Sequence, residues 1–110
     1  HGTSTLLNDK VETLAVKKTF NGKALSIPSS STKSMVGHPQ GASGALGVAV
    51  SALSLKNGFM TPTINMETPD PECDMDYISN IGREKRMDIA ISNCISFGSK
   101  NSSIVLKRFE

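Results

Sequence analysis

The hydrophobic pattern of the chain changes at residue 41, where a polar stretch gives way to small apolar side chains. Residues 29–34 almost all carry hydroxyl groups, and a Gly-His-Pro turn follows at residues 37–39. The apolar run after it predicts a helix over residues 41–56, ended by Asn57 and Gly58, because glycine readily takes the left-handed conformation that closes a helix. The run has about fourteen residues, fewer than the roughly twenty that span a bilayer, so we interpret it as a buried central helix.

The first turns of this predicted helix have very little side-chain bulk. Gly41, Gly44 and Gly47 fall within them, and each costs roughly 1 kcal/mol relative to alanine inside a helix. Such a cost is tolerated where another backbone or a ligand comes very close. The pattern also places Lys33 and His38 on a loop that leads to a helix N-terminus, where free N–H groups and the helix dipole favour polar chemistry.

A second helix is predicted near the start of the chain. Asn8 or Asp9 can cap it, residues 11, 14 and 15 are apolar at helical spacing, and the lysines at 10, 17 and 18 are expected to face water. Asn21 and Gly22 should end it, and residues 25–27 then predict a short strand closed by proline.

The C-terminal part of the chain predicts an antiparallel pair of strands. Isoleucines alternate over residues 87–96, residues 103–109 are again apolar, and the link between them is rich in turn residues. Prolines at 62, 69 and 71 exclude a regular helix between these strands and the central helix, and residues 62–65 are expected to be extended. Five carboxylates lie between residues 67 and 76. They predict a solvated acidic loop, with a metal site as the alternative, although the spacing does not match an EF-hand.

Composition narrows the function classes. The 110 residues suit one small domain, and a net charge of +2 without a basic run gives no support to nucleic-acid binding. Cys73 and Cys94 have no metal-ligand spacing and are expected to be reduced thiols in a reducing compartment. No signal peptide or membrane-spanning pattern is present, and a start at His1 without methionine suggests a piece of a longer polypeptide.

Candidate chemistry rests on the only two histidines, His1 and His38, which both stand in glycine-containing turns beside hydroxyl groups. A lone histidine is more often structural than catalytic, so the residues alone leave both interpretations open. Serine hydrolysis would require a GxSxG elbow, and phosphate binding a GxxxxGK loop, and the sequence contains neither.

Several motifs, taken together and in order, resemble the C-terminal half of β-ketoacyl-acyl-carrier-protein synthases. The resemblance covers essentially the whole chain. It rests on HGTST at residues 1–5, Asn8-Asp9, Glu12-Thr13, SSTKSMVGH at 30–38, GASGA at 41–45, PTIN at 62–65, Asn93 and Phe97-Gly98.

The resemblance implies an α/β fold of the thiolase type, with residues 1–110 as the C-terminal half of a layered αβαβα arrangement with a mixed sheet. It implies a decarboxylative Claisen condensation of an acyl thioester with malonyl-acyl carrier protein. The expected partners are acyl carrier protein, the N-terminal half of the same enzyme and a second copy in a homodimer, without nucleic acid or membrane. The expected location is the cytoplasm or an organelle matrix.

The resemblance also implies roles for individual residues. His1 and His38 match the two catalytic histidines, and Lys33 matches the catalytic lysine. Thr3 and Thr5 match hydroxyl groups that bind the phosphopantetheine arm. Phe97 and Gly98 match a gate beside the nucleophilic cysteine. No metal and no cofactor are expected, apart from the phosphopantetheine arm that the carrier protein delivers.

The sequence departs from the family pattern in four places. The nucleophilic cysteine belongs to the N-terminal half, and neither Cys73 nor Cys94 matches it. Gly47 stands where many fatty-acid members have a glutamate that pairs with the lysine. A glycine at this position is more like the polyketide-type members. In the glycine-rich gate of the family, this chain has Ile95 at the position of the first aromatic residue. It has Ser96 and Ser99 at two of the glycine positions. His1 stands at the very start of the chain.

Three alternatives remain open at this level. One is a non-catalytic partner subunit of the chain-length-factor type, which the presence or absence of the nucleophilic cysteine would decide. Another is a thiolase-like acyltransferase without decarboxylation, which the two-histidine pattern disfavours. The last is a free-standing small binding domain. The sequence does not distinguish fatty-acid, polyketide and pigment pathways.

Overall fold

The computed structural model describes residues 1–109 and contains three α-helices and four short strands. The helices are α1 (Asn8–Phe20), α2 (Lys33–Val36) and α3 (Ser43–Asn57). The strands are β1 (Phe59–Met60), β2 (Arg83–Glu84), β3 (Ile89–Cys94) and β4 (Ser102–Lys107). Three 3-10 turns, Asn21–Ser26, Gln40–Ala42 and Phe97–Ser99, complete the regular structure.

Helix α1 ends where the sequence predicts, but the predicted cap at Asn8 or Asp9 is wrong, because the N-cap position is Leu7 and the Thr5 hydroxyl supplies the acceptor. Its first backbone N–H, on Asn8, donates to the Thr5 hydroxyl at 3.2 Å, and the chain leaves the helix at Asn21 with φ of 50°. The strand predicted over residues 25–27 is wrong, because the 3-10 turn Asn21–Ser26 continues through that region. Ala24 in this turn is fully buried and its carbonyl accepts from the Ile27 N–H, so the segment folds back on itself and pairs with no strand.

Helix α3 starts at Ser43, two residues after the predicted start, because the 3-10 turn Gln40–Ala42 precedes it. Its predicted end is confirmed: Gly58 has φ of 64° and ψ of 36°, the left-handed conformation. The close-packing explanation applies to Gly47, since a Cβ there would lie 2.5 Å from the Ser92 hydroxyl oxygen. It applies less to Gly44, where a Cβ would lie 3.9 Å from Cys94 Sγ, and not to Gly41, which precedes the helix and has no close neighbour.

The predicted antiparallel pairing of the last two strands is confirmed. Strands β3 and β4 align with Ile91 opposite Val105 and Ser92 opposite Ile104. The face that carries Ser92 packs on α3, whereas Ile89 and Val105 on the other face are 60% and 65% exposed. Strands β1 and β2 form a second antiparallel pair, and Thr63 makes a parallel bridge with Ser79.

The core of the described chain is small, and the expected burial of α3 is not found. The buried apolar residues are Ala24, Leu55, Met60, Met75 and Ile78. Within α3 only Ser43 and Leu55 are buried, and Leu53 is 57% exposed. The reason is geometric. The β3–β4 hairpin covers one side of α3, and no other long helix or strand of the described residues covers the opposite side.

The acidic segment is a surface loop, as predicted, but four of its carboxylates, Asp70, Glu72, Asp74 and Asp76, pair with basic side chains. Lys10 contacts Glu72 and lies 3.7 Å from Asp70, and Lys17 contacts Asp74, so these two lysines do not simply face water as expected. Within residues 1–109, no cluster of three or more His, Cys, Asp or Glu side chains is arranged to hold a metal ion. None of the helices that the structure describes is both long and apolar enough to cross a membrane.

A candidate active site of two histidines and a lysine

The structure brings His1, His38 and Lys33 together from separate parts of the chain. The two imidazole rings meet edge to face, with centroids 5.5 Å apart and an interplanar angle of 81°. Lys33 opens the short helix α2, and its Nζ lies 3.4 Å from His1 Nδ1. The His1 side chain is only 6% exposed, whereas His38 lies on the exposed turn between α2 and α3.

Two donors determine the tautomer of neutral His38. The backbone N–H of Gln40 donates to His38 Nδ1 at 3.1 Å, and the Ser43 hydroxyl lies at the same distance from that nitrogen. A backbone N–H can only donate, so Nδ1 must accept, and a neutral ring then carries its proton on Nε2. Because Ser43 opens α3, the start of the central helix orients this histidine.

Lys33 has a comparable effect on His1. An ammonium group has three donors and no acceptor, so its 3.4 Å approach to His1 Nδ1 also favours a proton on Nε2. Lys33 Nζ also donates a hydrogen bond to the His1 carbonyl oxygen at 2.6 Å. This bond joins α2 directly to the backbone of His1. Burial lowers the pKa of Lys33, while the neighbouring Cys94 thiol and Glu12 carboxylate act in the opposite direction.

Glu12 is a site residue that the sequence analysis named only within the Glu12-Thr13 motif. Its carboxylate accepts from the amino group of His1 at 2.6 Å, the N–H of Gly2 at 2.8 Å and the side-chain amide of Asn8 at 3.3 Å. Burial raises the pKa of Glu12, whereas the N–H groups of Gly2 and Asn8 lower it. Through these hydrogen bonds the carboxylate anchors the His1 segment to α1.

The opposite side of the His1 segment is held by Ser31. Its hydroxyl donates to the Gly2 carbonyl at 2.6 Å, and its own backbone N–H donates to Thr63 Oγ1 at 2.9 Å. Gly2 has φ of +47°, and a Cβ there would lie 2.6 Å from the Ser31 Cβ, so this position requires glycine on both counts. The abundance of hydroxyl groups at residues 29–34 was the available signal, but nothing in the sequence showed their partners.

The predicted arm-binding residues Thr3 and Thr5 lie together on the exposed side of the His1 segment. Their hydroxyl oxygens are 3.1 Å apart, and that of Thr5 also accepts from the Asn8 N–H at the start of α1. Thr5 thus has a structural role in capping α1, while Thr3 bonds only to Thr5 among the contacts of the described chain.

The predicted gate is the turn between β3 and β4. The Phe97 side chain is fully exposed there, and Gly98 has φ of 71° and ψ of 26°. Cys73 and Cys94 are free, half-buried thiols. Cys94 lies on β3 against the Gly44 region of α3.

The chemistry that this arrangement can perform is stabilisation of negative charge on oxygen. In their neutral form the two imidazoles carry the proton on Nε2 and, with a cation beside His1, provide oriented hydrogen-bond donors. Donors of this kind stabilise a developing oxyanion, and removing one typically costs about 2.7–4 kcal/mol.

Comparison with known proteins agrees with this fold. The whole chain superimposes, with a TM-score of 0.97 and 37% identity, on 27% of a chain in a solved complex of a type II polyketide-synthase acyl-carrier protein with its ketosynthase bound to the hexaketide. The fold is therefore the thiolase-like α/β fold of ketosynthases. Residues 1–67 match the family described as "Beta-ketoacyl synthase, C-terminal domain". The chain belongs to this β-ketoacyl synthase family.

Two curated relatives show the range of the family. The chain is 46% identical over 108 residues to the tetracenomycin polyketide synthase ketoacyl synthase alpha subunit of Streptomyces glaucescens, covering 98% of the chain and 25% of that protein. It is also 46% identical over 108 residues to 3-oxoacyl-[acyl-carrier-protein] synthase 2 of Coxiella burnetii, covering 98% of the chain and 26% of that protein. The chain thus spans about a quarter of the length of the relatives it matches.

Proposed function

We propose that the chain supplies the decarboxylation site of a β-ketoacyl-acyl-carrier-protein synthase, which condenses an acyl thioester with malonyl-acyl carrier protein in fatty-acid or polyketide-type biosynthesis. The observation that carries the proposal is the edge-to-face pair of His1 and His38 with Lys33 beside it. Both rings are oriented by donors on Nδ1, which leaves Nε2–H of each free for substrate.

In the proposed reaction, the bond between the carboxylate and the methylene carbon of the malonyl thioester breaks, and carbon dioxide leaves. The electron pair moves onto the thioester oxygen as an enolate, which the Nε2–H groups of His1 and His38 stabilise. The carbanion carbon then attacks an acyl group held on a cysteine and displaces its thiolate. Lys33 contributes a positive charge beside His1 and holds the His1 backbone through its hydrogen bond to the carbonyl oxygen.

Other parts of the chain contribute binding and access. The adjacent hydroxyl groups of Thr3 and Thr5 suit an uncharged, amide-rich phosphopantetheine arm, which needs hydrogen bonds and not charge. Phe97 and Gly98 form the gate to the acyl-cysteine. The cysteine itself comes from the part of the enzyme that corresponds to the other three quarters of the relatives, because neither Cys73 nor Cys94 lies in a suitable position.

The proposed partners follow from the same reaction. Acyl carrier protein delivers both substrates, and the matched ketosynthase structure contains such a carrier protein. The remainder of the fold covers the exposed faces of α3 and the hairpin, and the complete enzyme is a homodimer. No metal or cofactor takes part beyond the phosphopantetheine arm. Two free thiols suit a reducing location, the cytoplasm or an organelle matrix.

A chimera tests the proposal. The 108 matched residues of the Coxiella burnetii synthase would be replaced by the corresponding residues of this chain, and decarboxylation and condensation measured with malonyl-acyl carrier protein. We expect both activities to persist within about tenfold of the parent enzyme, since that factor is about 1.4 kcal/mol of transition-state free energy and allows for imperfect junctions. The parent synthase is the control for carrier-protein quality.

The same experiment addresses the main alternative, a non-catalytic partner subunit. A chimera that folds and loads acyl groups on its cysteine, yet releases no carbon dioxide, would contradict the proposal and favour the partner-subunit interpretation. Condensation that proceeds without release of carbon dioxide would instead favour a thiolase-like acyltransferase.

A further inference from the structure

Residues 76–80, which we call the brace segment, form hydrogen bonds to Ser29, to Thr63 and, through Tyr77, to α1. The Asp76 carbonyl accepts from the Ser29 N–H at 2.8 Å. The Ile78 carbonyl accepts from the Thr63 N–H at 3.1 Å, and the Asn80 N–H donates to the Thr63 carbonyl at 2.8 Å. The brace segment therefore joins Ser29 and Thr63, which flank the segment that carries Lys33 and His38, although it contributes no residue to the site itself.

Tyr77 connects the brace segment to α1 through a single hydrogen bond to Thr13. Thr13 is 2% exposed, and its hydroxyl donates to the Asp9 carbonyl at 2.6 Å. A hydroxyl has one proton, so the contact between Thr13 Oγ1 and the Tyr77 hydroxyl requires Tyr77 to be the donor. Burial raises the pKa of Tyr77, more than the Thr13 bond lowers it, so the phenol retains the proton it donates.

Both routes from the brace segment end on the backbone beside His1. On one side, Tyr77 holds Thr13, whose neighbour Glu12 accepts from the N–H of Gly2. On the other side, Thr63 accepts from the Ser31 N–H, and the Ser31 hydroxyl donates to the Gly2 carbonyl. The Gly2 N–H and carbonyl are thus anchored by two arms that share one origin.

We propose that Tyr77 is a positioning residue for His1: its hydroxyl, through Thr13, sets the position of α1 and hence of the Glu12 carboxylate that holds the His1 segment. This inference rests on the proposed function where it concerns decarboxylation. Its geometric content, that Tyr77 controls the order of the Gly2 backbone, does not depend on that function.

The chain provides a matched control on the same helix. Thr13 and Thr19 both donate from Oγ1 to a carbonyl four residues earlier, at 2.6 Å and 2.8 Å, but only Thr13 contacts Tyr77. Replacing either threonine with valine removes the same helix bond and keeps a β-branched side chain. Only Thr13→Val also removes the acceptor of Tyr77.

The experiment compares Thr13→Val, Tyr77→Phe, Thr19→Val and Thr13→Ser in the chimera described above. For Thr13→Val and Tyr77→Phe we expect kcat for decarboxylation to fall about tenfold with KM unchanged, because a misplacement of about 1 Å can cost about a hundredfold and the site is held by a second arm. Acyl loading should be unaffected. Thr19→Val should match the unmodified chimera, and Thr13→Ser, which keeps the hydroxyl, should restore kcat.

A second readout is independent of catalysis. Hydrogen–deuterium exchange of the peptide containing Gly2 should be faster in Thr13→Val and Tyr77→Phe than in Thr19→Val. If the unmodified chimera does not decarboxylate, the proposed function fails while this exchange difference still supports the positioning role. Equal exchange in Thr13→Val, Tyr77→Phe and Thr19→Val would overturn the inference, as would an unchanged kcat in an active chimera. Tyr77→Phe supplies the measurement if Thr13→Val does not fold.

Discussion

The site region and the hairpin region of this chain are stabilised in opposite ways. Around His1, nearly every polar group has a partner within the chain, supplied by side chains of Glu12, Ser31 and Lys33. Around the β3–β4 hairpin, the backbone is paired, but the outer apolar face is open: Ile89 and Val105 are more than half exposed. Hydrogen bonds determine the position of the catalytic groups, whereas the apolar surface that stabilises the fold lacks cover.

This difference indicates a division between geometry and stability. Short polar contacts are directional, so the local sequence of a loop is sufficient to orient an imidazole or a lysine. Apolar burial has no direction and scales with area, and only five apolar residues are buried in the described chain. We therefore expect the site to keep its arrangement wherever the exposed faces are covered, and the fold to depend on that cover.

The largest expected effect is on the isolated chain. Residues 1–110 expressed alone should associate or fold only partially, because a domain normally has only about 5–15 kcal/mol of stability and this core is too small to supply it. The exposed faces of α3 and the hairpin form an apolar surface that favours association. Size-exclusion chromatography and chemical unfolding measure this. A monomer with one cooperative unfolding transition would contradict the inference that the fold depends on cover for these exposed faces. It would support a free-standing small domain.

The next effect concerns the geometry of the site. In the chimera, His38→Ala should reduce malonyl decarboxylation by roughly two to three orders of magnitude, the range for losing one oxyanion donor. Acyl loading of the cysteine should survive, because that step does not use this donor. Val36→Ala, at an exposed position just before the same turn, is the control and should keep both activities. Wild-type decarboxylation in His38→Ala would remove His38 from the site.

The smallest effect tests the contact between α3 and the hairpin. Gly47→Leu should lower the free energy of unfolding of the chimera by about 1–3 kcal/mol through overpacking against Ser92. Gly44→Ala is the matched control, since its new Cβ meets Cys94 Sγ at an ordinary 3.9 Å, and alanine favours a helix by up to about 1 kcal/mol. Unchanged melting and full activity in Gly47→Leu would show that the α3–hairpin contact is loose.

Much of the fold could be predicted because its signals are local. The end of α3 at Gly58, the end of α1 and the antiparallel hairpin follow from capping residues, helical spacing and alternation. The strand predicted at residues 25–27 is not found. Strand propensity does not show whether a neighbouring strand is available for pairing, and here a 3-10 turn supplies the backbone hydrogen bonds instead. The expected burial of α3 is not found for a related reason. An apolar composition shows that a helix can be buried, but it does not show that this chain contains the elements that would cover it.

The candidate site shows the same limit. The sequence identified His1, His38 and Lys33 through a family resemblance, and the structure brings them together. It did not identify Glu12 as an anchor, since a glutamate in a first helical turn is already explained by capping. The connection between Thr13 and Tyr77 joins residues 64 positions apart, and no short-range pattern reports such a pair.

The donor that orients His38 is a backbone N–H, which makes the tautomer robust to mutation. Every replacement of Gln40 except proline keeps that N–H, so variation at this position leaves the hydrogen bond to Nδ1 chemically possible. Proline is also excluded by conformation, because residue 40 has φ of 44° and the proline ring requires a negative φ near −65°. Sequence drift in this turn can therefore change the surface presented to a substrate or a partner while the proton of His38 stays on the same nitrogen.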